Sequence, residues 1–202
     1  MTDSRVPLSP QLGAPVSAQG LQGLSLQDFN RISFDLTTLA ERLAAAEDWG
    51  KLVVAHIYLD HILTQSLRDH VANMDAYFKG GHKSFADKLA LCEAHDLLDA
   101  DLSSTLTAIN SARNKFAHRL VFEVPDDLKV RLFTGFSPNR VSSDVLGPEG
   151  FTDFLFTVVM LLEFARIFGL KIAELEREKA SYQSRILQLA KEIVGPRQKV
   201  VP

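Results

Sequence analysis

Cysteine is almost absent from this chain of 202 residues, which contains only Cys92. A single cysteine cannot form an internal disulfide, so a disulfide-stapled fold is excluded. Because Cys92 lies inside an apolar pattern, we expect it to be a small buried residue of a protein in a reducing compartment.

Long apolar runs are also missing. The most apolar segment, "FLFTVVMLL" at 154–162, is too short to cross a bilayer as a helix and is predicted to be core. Residues 1–24 are polar, contain proline and glycine, and lack the apolar run of a signal peptide. We therefore expect a disordered tail at 1–24, a flexible tail at 195–202, and a cytoplasmic protein without membrane contact.

Positive charge is not in excess, because 22 Lys and Arg residues stand against 25 Asp and Glu residues and give a net charge of −3. This balance argues against a protein whose surface is covered with positive charge for binding nucleic acid, but it does not exclude a local basic groove. No helix-turn-helix or concentrated basic helix is visible, so direct sequence-specific DNA binding is not expected. No serine has the nucleophile-elbow context of a hydrolase.

Apolar residues three and four positions apart dominate what is present, and they predict an all-α, up-and-down helical bundle over residues 25–170. The second helix is apolar over most of its circumference, which is typical of the middle of a bundle. Gly80 and Gly81 follow it as a break, and Ser25, Ser84 and Asp99 or Asp101 are candidate N-caps. The predicted helices cover 25–43, 48–71, 84–96, 99–118, 151–168 and 171–194.

The segment between residues 120 and 150 has no clear helical pattern. Residues 120–125 could be extended, with Pro125 as the end of the segment. The prolines and glycines that follow predict a long loop up to Gly150, and loops of that length are usually functional or mobile.

The segment 171–194 repeats large side chains at alternating steps of three and four, which is a heptad seam with a lysine at one core position. Two interpretations stay open: a long amphipathic helix packed on its own bundle, or a helix that pairs with another subunit or protein partner. The seam consists of Ile172, Leu175, Lys179, Tyr182, Ile186, Leu189 and Ile193.

An arginine interrupts the apolar stripe of the helix before His118. Counting along that stripe from Ile109 gives Arg113 and then Phe116, a structural position on the same face. A buried guanidinium is costly unless it is paired. Arg113 is therefore predicted to have an anion partner or to face a cleft, and Asp60 is a candidate carboxylate.

Asn114 and His118 lie four residues apart, next to Arg113. Arginine can hold a phosphate in a bidentate manner, histidine can move a proton near neutral pH, and asparagine can orient either. These residues suit metal-free cleavage of RNA. Three interpretations stay open for them: a structural helix end, anion binding without chemistry, and catalysis.

His56 and Asp60 share a helical face at a spacing that can bind a metal only if more ligands converge. We expect a supporting structural role for them, either as a hydrogen-bonded pair or with Asp60 paired to Arg113. No metal or other cofactor is predicted.

The segment "ARNKFAH" resembles the signature of HEPN domains, an arginine followed after four residues by a histidine. The ordered pieces "VVAHIYLDHIL", "SFADKLALCEAHDLLD", "LTAINSARNKFAH" and "FTDFLFTVVMLLEF" are similar to those of the mannitol operon repressor family and related uncharacterised bacterial HEPN-like proteins. The similarity covers about half to two-thirds of the chain and omits both ends.

The resemblance implies an all-α bundle that forms a homodimer, with two motifs facing each other across a groove. If this chain acts as HEPN ribonucleases do, Arg113 would stabilise the scissile phosphate, His118 would transfer a proton, and Asn114 would position both. No metal would take part. The repressor branch implies regulation of transcription through a protein partner. We expect a regulatory interaction module, with a metal-independent endoribonuclease as the alternative.

Overall fold

The computed structural model describes residues 26–119, 123–137, 143–147 and 149–194. Within these ranges the protein is all-α, as predicted, and contains no strand. The predicted N-cap Ser25 and the predicted tails at 1–24 and 195–202 lie outside the described residues. The helices are α1 (Leu26–Phe29), α2 (Leu36–Ala45), α3 (Asp48–His70), α4 (Met74–Lys79), α5 (Phe85–Ala94), α6 (Ala100–Arg119), α7 (Asp126–Phe136), α8 (Ser143–Leu146) and α9 (Gly150–Val194).

Helix α3 is the centre of the bundle and packs against α2, α5, α6 and α9. The nearly continuous apolar surface predicted for this helix explains its place, because it has core neighbours on several sides. Its buried side chains are Leu52, Ala55, Leu59, Ile62, Leu63, Ser66 and Leu67.

Helices α5 and α6 run in opposite directions along α3. Ser84 caps α5 through a capping box with Asp87, and Cys92 near the other end is buried, as expected, against the Leu63 carbonyl. Burial raises the pKa of the Cys92 thiol to about 12. Asp99 caps α6 by accepting the amide of Leu102 at 2.7 Å, and α6 then returns toward the start of α3.

The prediction of one helix from Ser25 to Leu43 is wrong, because the chain is not helical between α1 and α2. Asp35 begins α2 by accepting the amide of Thr38 at 2.6 Å, and this hydrogen bond lowers the pKa of the Asp35 carboxyl. The Ser33 amide donates to Glu163 of α9 at 2.6 Å. Glu163, distant in sequence, therefore holds the non-helical backbone between α1 and α2.

The loop predicted up to Gly150 is also wrong, since it contains α7 and α8. Pro125 is the N-cap residue of α7, and Asp126 and Asp127 occupy its first turn. Phe133 on the inner face is buried and packs edge-on against Phe154 of α9 at 5.9 Å. Residues 120–122 of the predicted extended segment lie outside the description.

The helices predicted at 151–168 and 171–194 are one continuous helix of 45 residues, α9. Gly169 does not break it. A Cβ at Gly169 would lie 2.7 Å from the His70 ring, so glycine is needed where the end of α3 meets α9. Among the described helices, α9 included, none is both long and apolar enough to span a bilayer.

A buried ionic cluster joins α3, α9 and the segment between α1 and α2. Arg166 donates to Glu163 Oε1 at 2.7 Å, to the Asp69 carboxylate and to the Arg31 carbonyl oxygen. Burial acts to lower the pKa of Arg166, but hydrogen bonds and the charges of Glu163 and Asp69 raise it overall. The cluster fixes α9 at the end of the bundle from which its second half projects.

Candidate functional site

Helix α6 presents three polar side chains on one face, at Asn110, Arg113 and Asn114. Their spacing of three and four residues places them on adjacent turns of the helix. Arg113 Nη1 donates to Asn114 Oδ1 at 3.0 Å, and Asn114 Nδ2 donates to Asn110 Oδ1 at 3.4 Å. The predicted neighbours Arg113 and Asn114 are therefore in contact, with Asn110 as a third member.

His56 of α3 completes this polar line from the neighbouring helix. Its Nε2 lies 3.0 Å from Asn110 Oδ1, an acceptor, so the proton is on Nε2. The imidazole stacks on Phe85 with ring centroids 4.5 Å apart. We call the four residues His56, Asn110, Arg113 and Asn114 the α6 polar cluster.

The predicted pairing of Asp60 with Arg113 is wrong. The Asp60 carboxylate instead accepts Lys88 Nζ of α5 at 2.7 Å, because α5 covers that part of α3. His56 and Asp60 are also not the expected hydrogen-bonded pair, since His56 bonds Asn110. In the described part of the chain no three His, Cys, Asp or Glu residues form a group that could hold a metal.

Arg113 consequently keeps unused hydrogen-bonding capacity. Its Nε is buried and has no hydrogen-bond partner, and no ion pair involves its guanidinium among the described residues. The side chain as a whole is half-buried. A cation that is held by one amide, that of Asn114, and that has no carboxylate beside it within the described ranges is a suitable ligand for an anion that approaches from solvent.

Phe116 and His118 complete the predicted motif on α6. Phe116 is 8% exposed and belongs to the core, in agreement with its supporting role. The backbone of His118 belongs to α6, but its side chain lies outside what the structure describes. Its role in proton transfer stays a prediction.

Sequence reasoning missed Asn110, although a signal for it was available. Asn110 precedes Asn114 by four residues and Arg113 by three, so helical spacing alone places it beside both. The contribution of His56 depends on how α3 and α6 pack and has no equivalent signal in the sequence.

The pKa of His56 lies below its ordinary value. Burial disfavours the charged imidazolium and is the main cause, the hydrogen bond that His56 donates to Asn110 acts in the opposite direction, and the charge of Arg113 lowers the pKa further. His56 is therefore neutral at physiological pH and suited to orient Asn110.

This shift predicts a pH dependence of stability. A histidine with a lowered folded-state pKa binds protons more readily when unfolded, so its contribution is complete above about pH 6.5 and decreases as the pH falls below that value. Denaturant unfolding of wild type and His56→Gln between about pH 8 and pH 5 measures this contribution. The stability advantage of wild type over the variant should shrink toward acid; a constant difference would contradict it.

Comparison of the chain with protein families, curated proteins and solved structures finds no match.

A second candidate surface lies on the projecting half of α9. We call Ile172, Leu175, Lys179, Tyr182, Ile186 and Leu189 the α9 stripe. Every residue from 175 to 192 is exposed, including Tyr182 at 67% and Ile186 at 65%. The interpretation that the segment 171–194 packs on its own bundle is therefore wrong for residues 175–192, which are all exposed.

The base of the projecting segment is attached to the α1 region. Arg31 pairs with Glu174 at 2.7 Å, and Lys171 lies 4.0 Å from Asp28. The hydrogen bond to Glu174 raises the pKa of Arg31. These contacts set the direction in which the α9 stripe leaves the bundle.

Proposed function

We propose that the protein is a regulatory interaction module whose α9 stripe binds a protein partner. The exposure of a heptad seam on a helix continuous with the bundle is the observation that carries this proposal. Five of its six side chains are apolar or aromatic, and such a patch on a protein surface usually marks a binding site. The resemblance to the mannitol operon repressor family suggests that the regulated process is transcription.

The energetics support binding through this surface. Burying a leucine or isoleucine that is now exposed is worth about 1.5–3 kcal/mol at full burial. Ile186 and Leu189 are 65% and 50% exposed, so both would gain from a partner that covers them. The bundle supplies the helix with a folded start, which avoids the cost of nucleating it during binding.

Two leucines that lie two residues apart on α9 allow a matched test in the full-length chain. Leu189 is in the α9 stripe, whereas Leu187 lies outside it and is similarly exposed, at 62%. Leu189→Glu should weaken association by about 100-fold or more, since a charge replaces a buried apolar contact, while Leu187→Glu should stay close to wild type. Light scattering after gel filtration measures the assembly, and mass spectrometry identifies proteins that co-purify with each variant.

The outcome that contradicts the proposal is equal behaviour of the two variants. If wild type, Leu189→Glu and Leu187→Glu have the same solution mass and the same co-purifying proteins, the α9 stripe is not a binding surface. Circular dichroism of each variant checks that the bundle and α9 remain helical.

The second candidate function, a metal-independent endoribonuclease, is favoured by Arg113, which has no carboxylate partner among the residues that the structure describes. Arg113 would bind the scissile phosphate, Asn114 would hold its guanidinium, and His118 would transfer a proton. Labelled single-stranded RNA incubated with the protein in EDTA tests this function. Cleavage to 2′,3′-cyclic phosphate ends that is lost in His118→Ala supports it, and intact RNA contradicts it.

Arg113→Met distinguishes an anion site from a structural arginine. Because Arg113 forms no ion pair with any described residue, we expect the free energy of unfolding to change by less than about 1 kcal/mol, against about 3–5 kcal/mol for breaking a buried pair. Increasing phosphate at constant ionic strength should stabilise wild type and the surface control Lys115→Met but not Arg113→Met. Thermal unfolding measures this effect. A large loss of stability with no change in the response to phosphate would show that the arginine is structural.

A further inference from the structure

We propose that a second copy of this chain covers the α9 stripe and that the two helices pair antiparallel in one register. The inference rests on the proposed function only in taking the α9 stripe as an interaction surface. It adds the identity of the partner, the relative direction of the two helices, and the residue pairs that meet in the seam.

The register follows from the heptad positions of the stripe. Ile172, Lys179 and Ile186 occupy a positions, and Leu175, Tyr182 and Leu189 occupy d positions. In an antiparallel pair each a residue faces a d residue of the other helix. The alignment that uses the whole stripe places Ile172 against the partner's Leu189, Leu175 against the partner's Ile186, and Lys179 against the partner's Tyr182.

The flanking charges agree with this alignment. The g positions beside the seam are Lys171, Glu178, Arg185 and Glu192. In the antiparallel register Lys171 lies opposite the partner's Glu192, and Glu178 opposite the partner's Arg185. Each pair occurs twice by symmetry and all are of opposite sign. Exposed pairs of this kind add little affinity, but they select orientation and register.

A parallel pair would leave Lys179 and Arg185 without favourable partners. In a parallel coiled coil each a residue faces its own counterpart, so Lys179 would meet the partner's Lys179 inside the seam. Two ammonium groups in a desolvated layer repel each other. The antiparallel register instead brings Lys179 to an aromatic ring, where a cation–π contact is favourable. Parallel pairing would also place Arg185 opposite the uncharged Ala190 of the partner.

The proposed dimer keeps the two bundles apart. The pairing is centred between residues 180 and 181, so the points where α9 leaves the bundles lie roughly 30 Å from each other along the coil. The α6 polar cluster lies further away, because His56 is toward the start of α3 and α9 leaves beside its end at His70. Two copies of Arg113 therefore do not share a groove in this dimer, and a composite site would need another interface.

Cysteine cross-linking of the full-length chain reads the direction directly. Leu175→Cys and Ile186→Cys are made singly and together, and Leu187→Cys serves as the control outside the stripe. Cys92 is buried and is not expected to cross-link. The wild-type chain, which contains only this cysteine, is the control for that expectation. In the antiparallel register the double variant should give about ten-fold more disulfide-linked dimer than any single variant, since 175 and 186 face each other only between copies.

A charge exchange provides a second measurement in case the cysteines weaken pairing. Glu178→Arg and Arg185→Glu should each lower self-association alone, and mixing the two chains should restore it as a heterodimer. In a parallel pair these residues do not face each other, so mixing would restore nothing.

The outcomes separate this inference from the function on which it rests. Efficient linking of each single stripe variant means parallel pairing and overturns the register. If wild type is monomeric and the cysteine variants give no cross-linked dimer, a second copy is not the partner. If Leu189→Glu in that case still loses a co-purifying protein that Leu187→Glu retains, the proposed function stands with a different partner.

Discussion

Replacing Arg166 with alanine is expected to lower the free energy of unfolding by about 3–5 kcal/mol. Arg166 is 7% exposed and donates to two carboxylates and one carbonyl oxygen. Its loss leaves Glu163, which is fully buried, without its cation. The Ser33 amide that caps Glu163 cannot compensate alone for an unpaired charge in the core.

Denaturant unfolding compares this variant with a matched arginine on the surface. Arg131 pairs with Asp127 one turn away, and both side chains are mostly exposed. Arg131→Ala should therefore change stability by no more than about 0.5 kcal/mol. Equal losses in the two variants would show that the cluster around Arg166 does not hold α9 to the bundle.

Alanine at Gly169 should destabilise the protein by about 1–3 kcal/mol, although glycine-to-alanine replacement in a helix usually stabilises. The added Cβ would lie 2.7 Å from His70 Cε1 and 2.9 Å from its Nε2. To accommodate it, the ring must move and lose its contact with the Arg166 carbonyl oxygen, now at 3.3 Å.

The His70→Ala background tests this reason for the effect. Without the imidazole, Gly169→Ala meets no ring and should stabilise by about 0.5–1 kcal/mol through helix propensity. A double-mutant cycle measured by thermal unfolding gives the coupling. If Gly169→Ala has the same effect in both backgrounds, contact with His70 is not the reason for the glycine.

The helices that the sequence predicted correctly are those whose signals are local. The limits of α3 and the start of α5 follow from apolar periodicity and the Ser84 cap. Gly80, predicted as the break after α3, is instead the C-cap residue of α4, a short helix that was not predicted. Helix α7 was missed because the prolines and glycines around it outweighed its apolar face, centred on Phe133. The break between α1 and α2 depends on Glu163 and Arg166, far away in sequence, and no local pattern carries that information.

The candidate site shows the same division. An arginine on an apolar stripe was visible as an anomaly, and in the structure its guanidinium donates to Asn114. The residue of α3 that meets the polar face of α6 could not be predicted, because Asp60 and His56 lie one helical turn apart on α3 and only packing decides which of them contacts Asn110. The heptad pattern likewise looks the same whether its own bundle or another chain covers it.

Hydrogen–deuterium exchange of the amides at 175–192 tests most directly whether a second copy covers the α9 stripe. A single helix projecting into solvent frays and exchanges rapidly at every protein concentration. We predict that raising the concentration of purified wild type or Leu187→Glu slows this exchange by about ten-fold or more, and that Leu189→Glu removes the effect. Rapid exchange in wild type, unchanged by concentration, would contradict pairing through the α9 stripe.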